Sequence, residues 1–121
     1  MQAKAFSTSD KPEFMTPERC YIQEWSNSEE DGNVSIARSR VPPGVTTSRH
    51  LLRSTDERYL ILEGTGMVEI GAELKAVVAP GDVVWIPRDT MQRITNTGPN
   101  DLVFLCICSP RFTVQCYESV D

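Results

Sequence analysis

Residues 57–86 read ERYLILEGTGMVEIGAELKAVVAPGDVVWI. Four apolar runs (58–63, 67–70, 74–79 and 83–86) are cut apart by Gly64-Thr65-Gly66, by Gly71 and by Pro80-Gly81-Asp82. Glycine supplies positive φ and proline presets φ for a turn, so each break reads as a reversal of the chain. No run keeps an apolar period of 3.6 over three turns, so the segments are strands. The texture continues outward. Further strands are predicted at 20–25, 34–41, 46–52, 92–96 and 102–108, with one more at 112–117. Between them lie the turn compositions Asp31-Gly32-Asn33, Pro42-Pro43-Gly44 and Thr97-Gly98-Pro99-Asn100. Many short strands at this spacing predict an all-β sandwich or barrel, not a parallel α/β sheet.

The wider sequence bounds the rest. A chain of 121 residues with 40% hydrophobic residues holds one core, and its net charge of −5 is too modest for disorder. Two parts are expected, a polar arm over 1–19 carrying Pro12 and Pro17, and a single barrel domain over 20–121. No apolar run approaches the length of about 18 residues that a membrane span needs. Charges at Lys4, Asp10, Lys11 and Glu13 leave no apolar stretch for a signal peptide, which predicts a cytoplasmic protein. No Lys/Arg block marks a nucleic-acid footprint. Four cysteines, Cys20, Cys106, Cys108 and Cys116, are then expected as reduced thiols, mostly buried and structural. The lone histidine, His50, excludes any site that needs two imidazoles from one chain.

Strand parity sorts the side chains. Glu57, Tyr59, Ile61 and Glu63 share one face of their strand, and Arg58, Leu60 and Leu62 share the other. In 102–108 both faces are apolar, which predicts that the outer face is covered by the arm or by a second subunit. A homodimer is the preferred cover, because closed two-fold pairs are the commonest assembly. Arg49, Arg53 and Arg93 are expected to point outward. Arg38 or Arg40 is a candidate to enter the barrel and bind an anionic substrate. Trp85 is assigned to the core, and Asn96 to the turn at Thr97-Gly98.

Two spaced constellations carry the chemistry. The first is Pro43-Gly44, then His50-Leu51-Leu52, Glu57 and Gly64; the second is Pro80-Gly81-Asp82, Ile86-Pro87, Gln92 and Asn96. Together they resemble the two motifs of the cupin superfamily, small double-stranded β-helix (jelly-roll) barrels, and the resemblance spans residues 34–108. In metal-binding cupins the first motif supplies two histidines and a glutamate, and the second supplies a third histidine. Position by position, this resemblance places the first ligand on His50, the second on Leu52, the carboxylate on Glu57 and the third histidine on Gln92. The fold motif is intact while two of four ligand positions are changed.

A jelly-roll barrel would bring His50, Glu57 and Gln92 together inside, where such barrels keep ligands. Those three side chains could bind one divalent ion (Zn, Mn, Fe or Ni), with Cys106 or Cys108 joining if either turned inward. They could equally form a metal-free polar pocket. No organic cofactor is expected. His50, Glu57 and Tyr59 are the candidate catalytic residues, with Tyr59 otherwise a core aromatic. The expected function is a small-molecule cupin enzyme of isomerase, cyclase or oxygenase type, acting on a small organic or sugar-derived substrate. The alternative is a non-catalytic ligand-binding or sensor cupin whose metal site has decayed.

Overall fold

The computed structural model describes residues 2–121. Eleven strands form two antiparallel sheets among them: β1 (Phe14–Met15), β2 (Tyr21–Ser28), β3 (Asp31–Val41), β4 (His50–Leu52), β5 (Asp56–Glu63), β6 (Gly66–Ile70), β7 (Leu74–Val78), β8 (Val83–Ile86), β9 (Gln92–Asn96), β10 (Leu102–Ser109) and β11 (Tyr117–Ser119). One sheet runs β1-β2-β3-β10-β5-β8 and the other β11-β4-β9-β6-β7. The chain is an all-β jelly-roll barrel, as its turn pattern indicates.

The turns do what their composition requires. Gly64 sits at φ +84, and a Cβ there would lie 2.6 Å from the Asp101 carbonyl oxygen, so the position excludes a side chain twice over. At Pro80-Gly81-Asp82, the Asp82 carboxylate accepts the Ala79 N–H at 2.8 Å, and the Gly81 N–H donates to the Ile61 carbonyl at 2.9 Å. This ties the turn to β5 and aims β8 along it.

Alternation then fills the interior. On β5, Glu57, Tyr59 and Ile61 are buried; on β9, Gln92, Ile94 and Asn96 are. Ile61, Val68, Ile86, Ile94, Leu102 and Val41 form the centre of the core and are almost wholly excluded from water. Each such side chain contributes about 1.5–3 kcal/mol on burial. Asn96 is buried too. It accepts the Gly98 N–H and donates to the carbonyls of Val41 and Asn100, pinning the turn after β9 to the end of β3.

Several expectations are corrected. The 46–52 strand reduces to a bridge between Thr46 and Thr95 followed by the short β4. Thr47 explains the interruption, because its hydroxyl takes the Ile94 N–H that a ladder would use. The 112–117 segment is a 3-10 turn (Val114–Cys116) leading into β11. Trp85 is not a core residue: β8 is an edge strand, so Val84 and Ile86 face in while Val83 and Trp85 face out, Trp85 at 58% exposure. Neither Arg38 nor Arg40 enters the barrel. Both stand on the outer face of β3, where Arg40 grips Glu13 through Nη2 (2.7 Å) and Nε (3.0 Å) and lies over the Tyr21 ring, 4.1 Å from its centroid. Arg38 reaches the same carboxylate at 3.3 Å. These contacts hold the arm across β2 and β3, and the Lys11 carbonyl adds another by accepting from Gln23.

Candidate functional site

One end of the barrel is not filled. A cavity of about 350 Å³ opens there, with His50, Glu57 and Tyr59 in its wall beside Leu52, Phe104 and Tyr117. The arm contributes Phe14, Thr16, Pro17 and Glu18 to the lining, and the C-terminal segment contributes Phe112 and Val114. Phe14 and Val114 are well exposed and mark its rim.

Each polar group is held by a particular element. His50 begins β4 and is the cross-strand partner of Gln92 on β9. Its Nδ1 lies 2.7 Å from Glu18 Oε2 and 3.1 Å from the Ser48 carbonyl oxygen. Both neighbours are acceptors, so the Nδ1 proton is fixed by its surroundings. Tyr117 stacks on the imidazole with ring centroids 5.1 Å apart. Nε2 makes no hydrogen bond among the described residues. Burial disfavours the imidazolium, but the hydrogen bond and charge of Glu18, aided by Glu57, outweigh it and raise the His50 pKa above its ordinary value.

Glu57 and Tyr59 project from β5 on the same face. Burial pushes the Glu57 carboxyl up, against the opposing pull of His50 and of the nearby Gln92 amide. Its Oε1 nevertheless has no hydrogen-bond partner among the described residues, and neither does Gln92 Nε2. Tyr59 donates its hydroxyl proton to Gln92 Oε1, and burial pushes its own pKa far up. Tyr59 is therefore a fixed donor that orients the Gln92 amide, not a proton source for a ligand.

Cys20, Cys106 and Cys108 also line the cavity and are free. Burial pushes Cys20 up to about 11 and the other two higher, so without a bound ion all three are neutral thiols rather than nucleophiles.

The donor set does not fit a divalent ion. The His50, Glu57 and Gln92 trio needs an oxygen from Gln92, but that oxygen is engaged by Tyr59 and the amide presents its NH₂ instead. Leu52 fills the second-histidine position and packs against Cys108, Cys116, Phe112 and Tyr117. No group of three or more His, Cys, Asp or Glu side chains placed to share an ion occurs among the described residues.

Glu18 is absent from the residues the sequence singles out. It stands in a polar, aperiodic segment, and only barrel closure carries it to His50; the one available hint is that a buried imidazole needs an acceptor.

Comparison with known proteins agrees with this architecture. Residues 37–108 match the Cupin domain family. The chain is a cupin. It is 37% identical over 87 residues to the uncharacterized protein MJ1618 of Methanocaldococcus jannaschii, covering 72% of this chain and 69% of that protein. Among solved structures, this cupin superposes on the nucleoside dehydratase Pac13 with a TM-score of 0.81 at 13% identity, over 98% of this chain and 92% of that one. It also superposes on KdgF from Halomonas sp. with a TM-score of 0.79 at 18% identity, covering 94% and 99% respectively. At such identities the structural likeness speaks for the fold alone.

Proposed function

We propose that this cupin is a small-molecule enzyme that moves protons without a metal ion, of isomerase or lyase type. The observation that carries this reading is the ion-paired Glu18–His50 couple in the wall of a cavity that also holds the buried, incompletely bonded Glu57. Glu18 fixes the Nδ1 proton and leaves Nε2 for a ligand. Glu18 favours a proton on His50 and burial favours one on Glu57, so the two groups can give a proton to a ligand and take one from it. Tyr59 and Gln92 keep the floor rigid.

Pac13 acts as a dehydratase on the same barrel, which is compatible with proton-transfer chemistry here. The alternative is a binding module that holds its ligand without turnover, and it differs by an observable.

The test is deuterium exchange. EDTA-treated protein is incubated in D2O with neutral hydroxy-ketones, among them dihydroxyacetone and 2-hydroxycyclohexanone, and proton NMR follows the carbon next to the carbonyl. Exchange above buffer that His50→Gln lowers by about 10²–10⁴-fold supports the enzyme. Exchange that never exceeds buffer, or that needs added Mn²⁺, Fe²⁺, Zn²⁺ or Ni²⁺, removes it.

Two further readings belong to the same proposal. The four free cysteines suit a reducing cytoplasm. The outward Leu62, Val83 and Trp85, all exposed on the larger sheet, suit a homodimer. Light scattering near twice 13.6 kDa supports the dimer, and a value at 13.6 kDa rejects it.

A further inference from the structure

We infer that Arg19 is a positioning residue for the acid–base couple: it latches the hairpin tip that carries Glu18, so that the Glu18 carboxylate stays on His50. This deepens the proposed function and rests on it for one point, that the Glu18–His50 pair is the reacting couple.

The tip is a three-residue loop. β1 and β2 pair through Phe14 with Ile22 and Met15 with Tyr21. Thr16 closes the ladder: its N–H donates to the Cys20 carbonyl at 2.9 Å, and its own carbonyl accepts the Arg19 N–H at 3.2 Å. Pro17, Glu18 and Arg19 are left to reverse the chain, with Pro17 presetting φ at the first position. The third position of such a loop is left-handed, and glycine suits it best. Here Arg19 occupies it, at φ +72. A residue with a Cβ is strained in that region, and the strain persists only where other contacts hold it. Ser54 and Asp89, the other two non-glycine residues at positive φ among the described residues, are held by each other: the Ser54 N–H donates to the Asp89 carboxylate at 3.3 Å.

The contacts that hold Arg19 are made with residues 46–50. One side of that segment belongs to β9, where the Thr47 N–H donates to the Ile94 carbonyl at 2.9 Å. The hairpin tip takes the other side, at alternate residues. Arg19 Nε donates to the Thr46 carbonyl at 3.0 Å, and the Ser48 N–H donates to the Glu18 carbonyl at 3.2 Å. His50 Nδ1 then meets Glu18 Oε2 at 2.7 Å. A single backbone bond from Ser48 would let the tip pivot about it. The second anchor, two residues along at Thr46, stops that rotation and fixes the approach of the carboxylate to the ring. The Glu13–Arg40 ion pair lies further upstream and holds the arm, not the tip.

Arg19→Gly suits the left-handed turn and has no guanidinium. Arg19→Asn, which also tolerates that turn, is the second variant. Imidazole NMR on the full-length protein, followed across pH, reads His50 in each. Both variants are expected to move the His50 midpoint to lower pH, by less than Glu18→Gln moves it. The direction is diagnostic, because loss of a neighbouring positive charge alone would move the midpoint up. In a Glu18→Gln background, Arg19→Gly should lower the midpoint no further, as expected of a residue that acts through Glu18. Deuterium exchange should slow about tenfold in Arg19→Gly, with KM unchanged. A midpoint that stays or rises in the folded variants overturns the inference, as does a further lowering in the double variant. Exchange that Arg19→Gly leaves undiminished also overturns it. The titration needs no turnover, so the latch and the enzyme fail separately: His50 can report a displaced Glu18 in a protein that exchanges nothing, and the reverse.

Discussion

Strand β5 passes through two different interiors. At one end Ile61 is sealed in a cluster with Val68, Ile86, Ile94 and Leu102. Four residues earlier on the same face, Glu57 stands in a cavity with one oxygen unpartnered. Backbone geometry, alternation and sheet are the same for both. The difference lies in what the flanking segments bring: β6, β8 and β9 close over Ile61 with branched aliphatics, whereas the arm and the C-terminal segment wall the space over Glu57 without filling it. The dry end sets stability, and the wet end gives up some of it to hold charge where a ligand can meet it.

The largest effect expected from this contrast is in the dry end. Ile61→Ala should cost about 2–5 kcal/mol, because its neighbours cannot collapse into the space. Leu52→Ala should cost less, since Leu52 already borders open volume. Urea unfolding of both variants compares them directly, and equal costs would break the distinction between the two ends.

Next comes Glu57. Its folded-state pKa lies above the ordinary 4.5, so the folded chain keeps a proton that the unfolded chain has lost. Stability therefore falls as pH rises from 4.5 through the folded value. Glu57→Gln removes that loss and should stabilise the protein at pH 8 by about 1–3 kcal/mol, the usual cost of a buried group left without its partner. The difference between variant and parent should shrink toward pH 4.

His50 has the same sign for a different reason. Its raised pKa gives stability that is complete below 6.5 and is lost as pH climbs through the folded value. Glu18→Gln removes the carboxylate that raises it, so the imidazole NMR titration should move to lower pH and this part of the stability profile should flatten. An unmoved titration would mean that Glu18 does not govern the proton on Nδ1.

The smallest effect lies on the outer surface. Glu13→Gln loosens the arm from Arg38 and Arg40, both partly exposed, and should cost about 0–1 kcal/mol. It should leave the His50 titration in place, because Glu18 is anchored separately: the Glu18 carbonyl accepts the Ser48 N–H at 3.2 Å.

Much of the barrel is legible before any coordinates. Gly64 and Pro80-Gly81-Asp82 announce reversals because so few residues tolerate those backbone states, and period-2 alternation places Glu57, Tyr59 and Ile61 on one face. What alternation cannot tell is what lies across the sheet. Trp85 is apolar and in register for a strand, yet an edge strand leaves it facing solvent. Gln92 reads as a ligand until Tyr59 is seen to occupy its oxygen. Glu18 carries no local pattern at all, since its role depends on a contact 32 residues away in the chain.

That last contact bears on how chemistry descends within the fold. The counter-ion of the imidazole comes from the segment ahead of the barrel, and its stacking partner Tyr117 comes from the segment behind it. Two proteins can inherit the same jelly roll, with the histidine at the same address, and still differ in what that ring does. The peripheral stretches are where reactivity would be retuned while the scaffold stayed untouched.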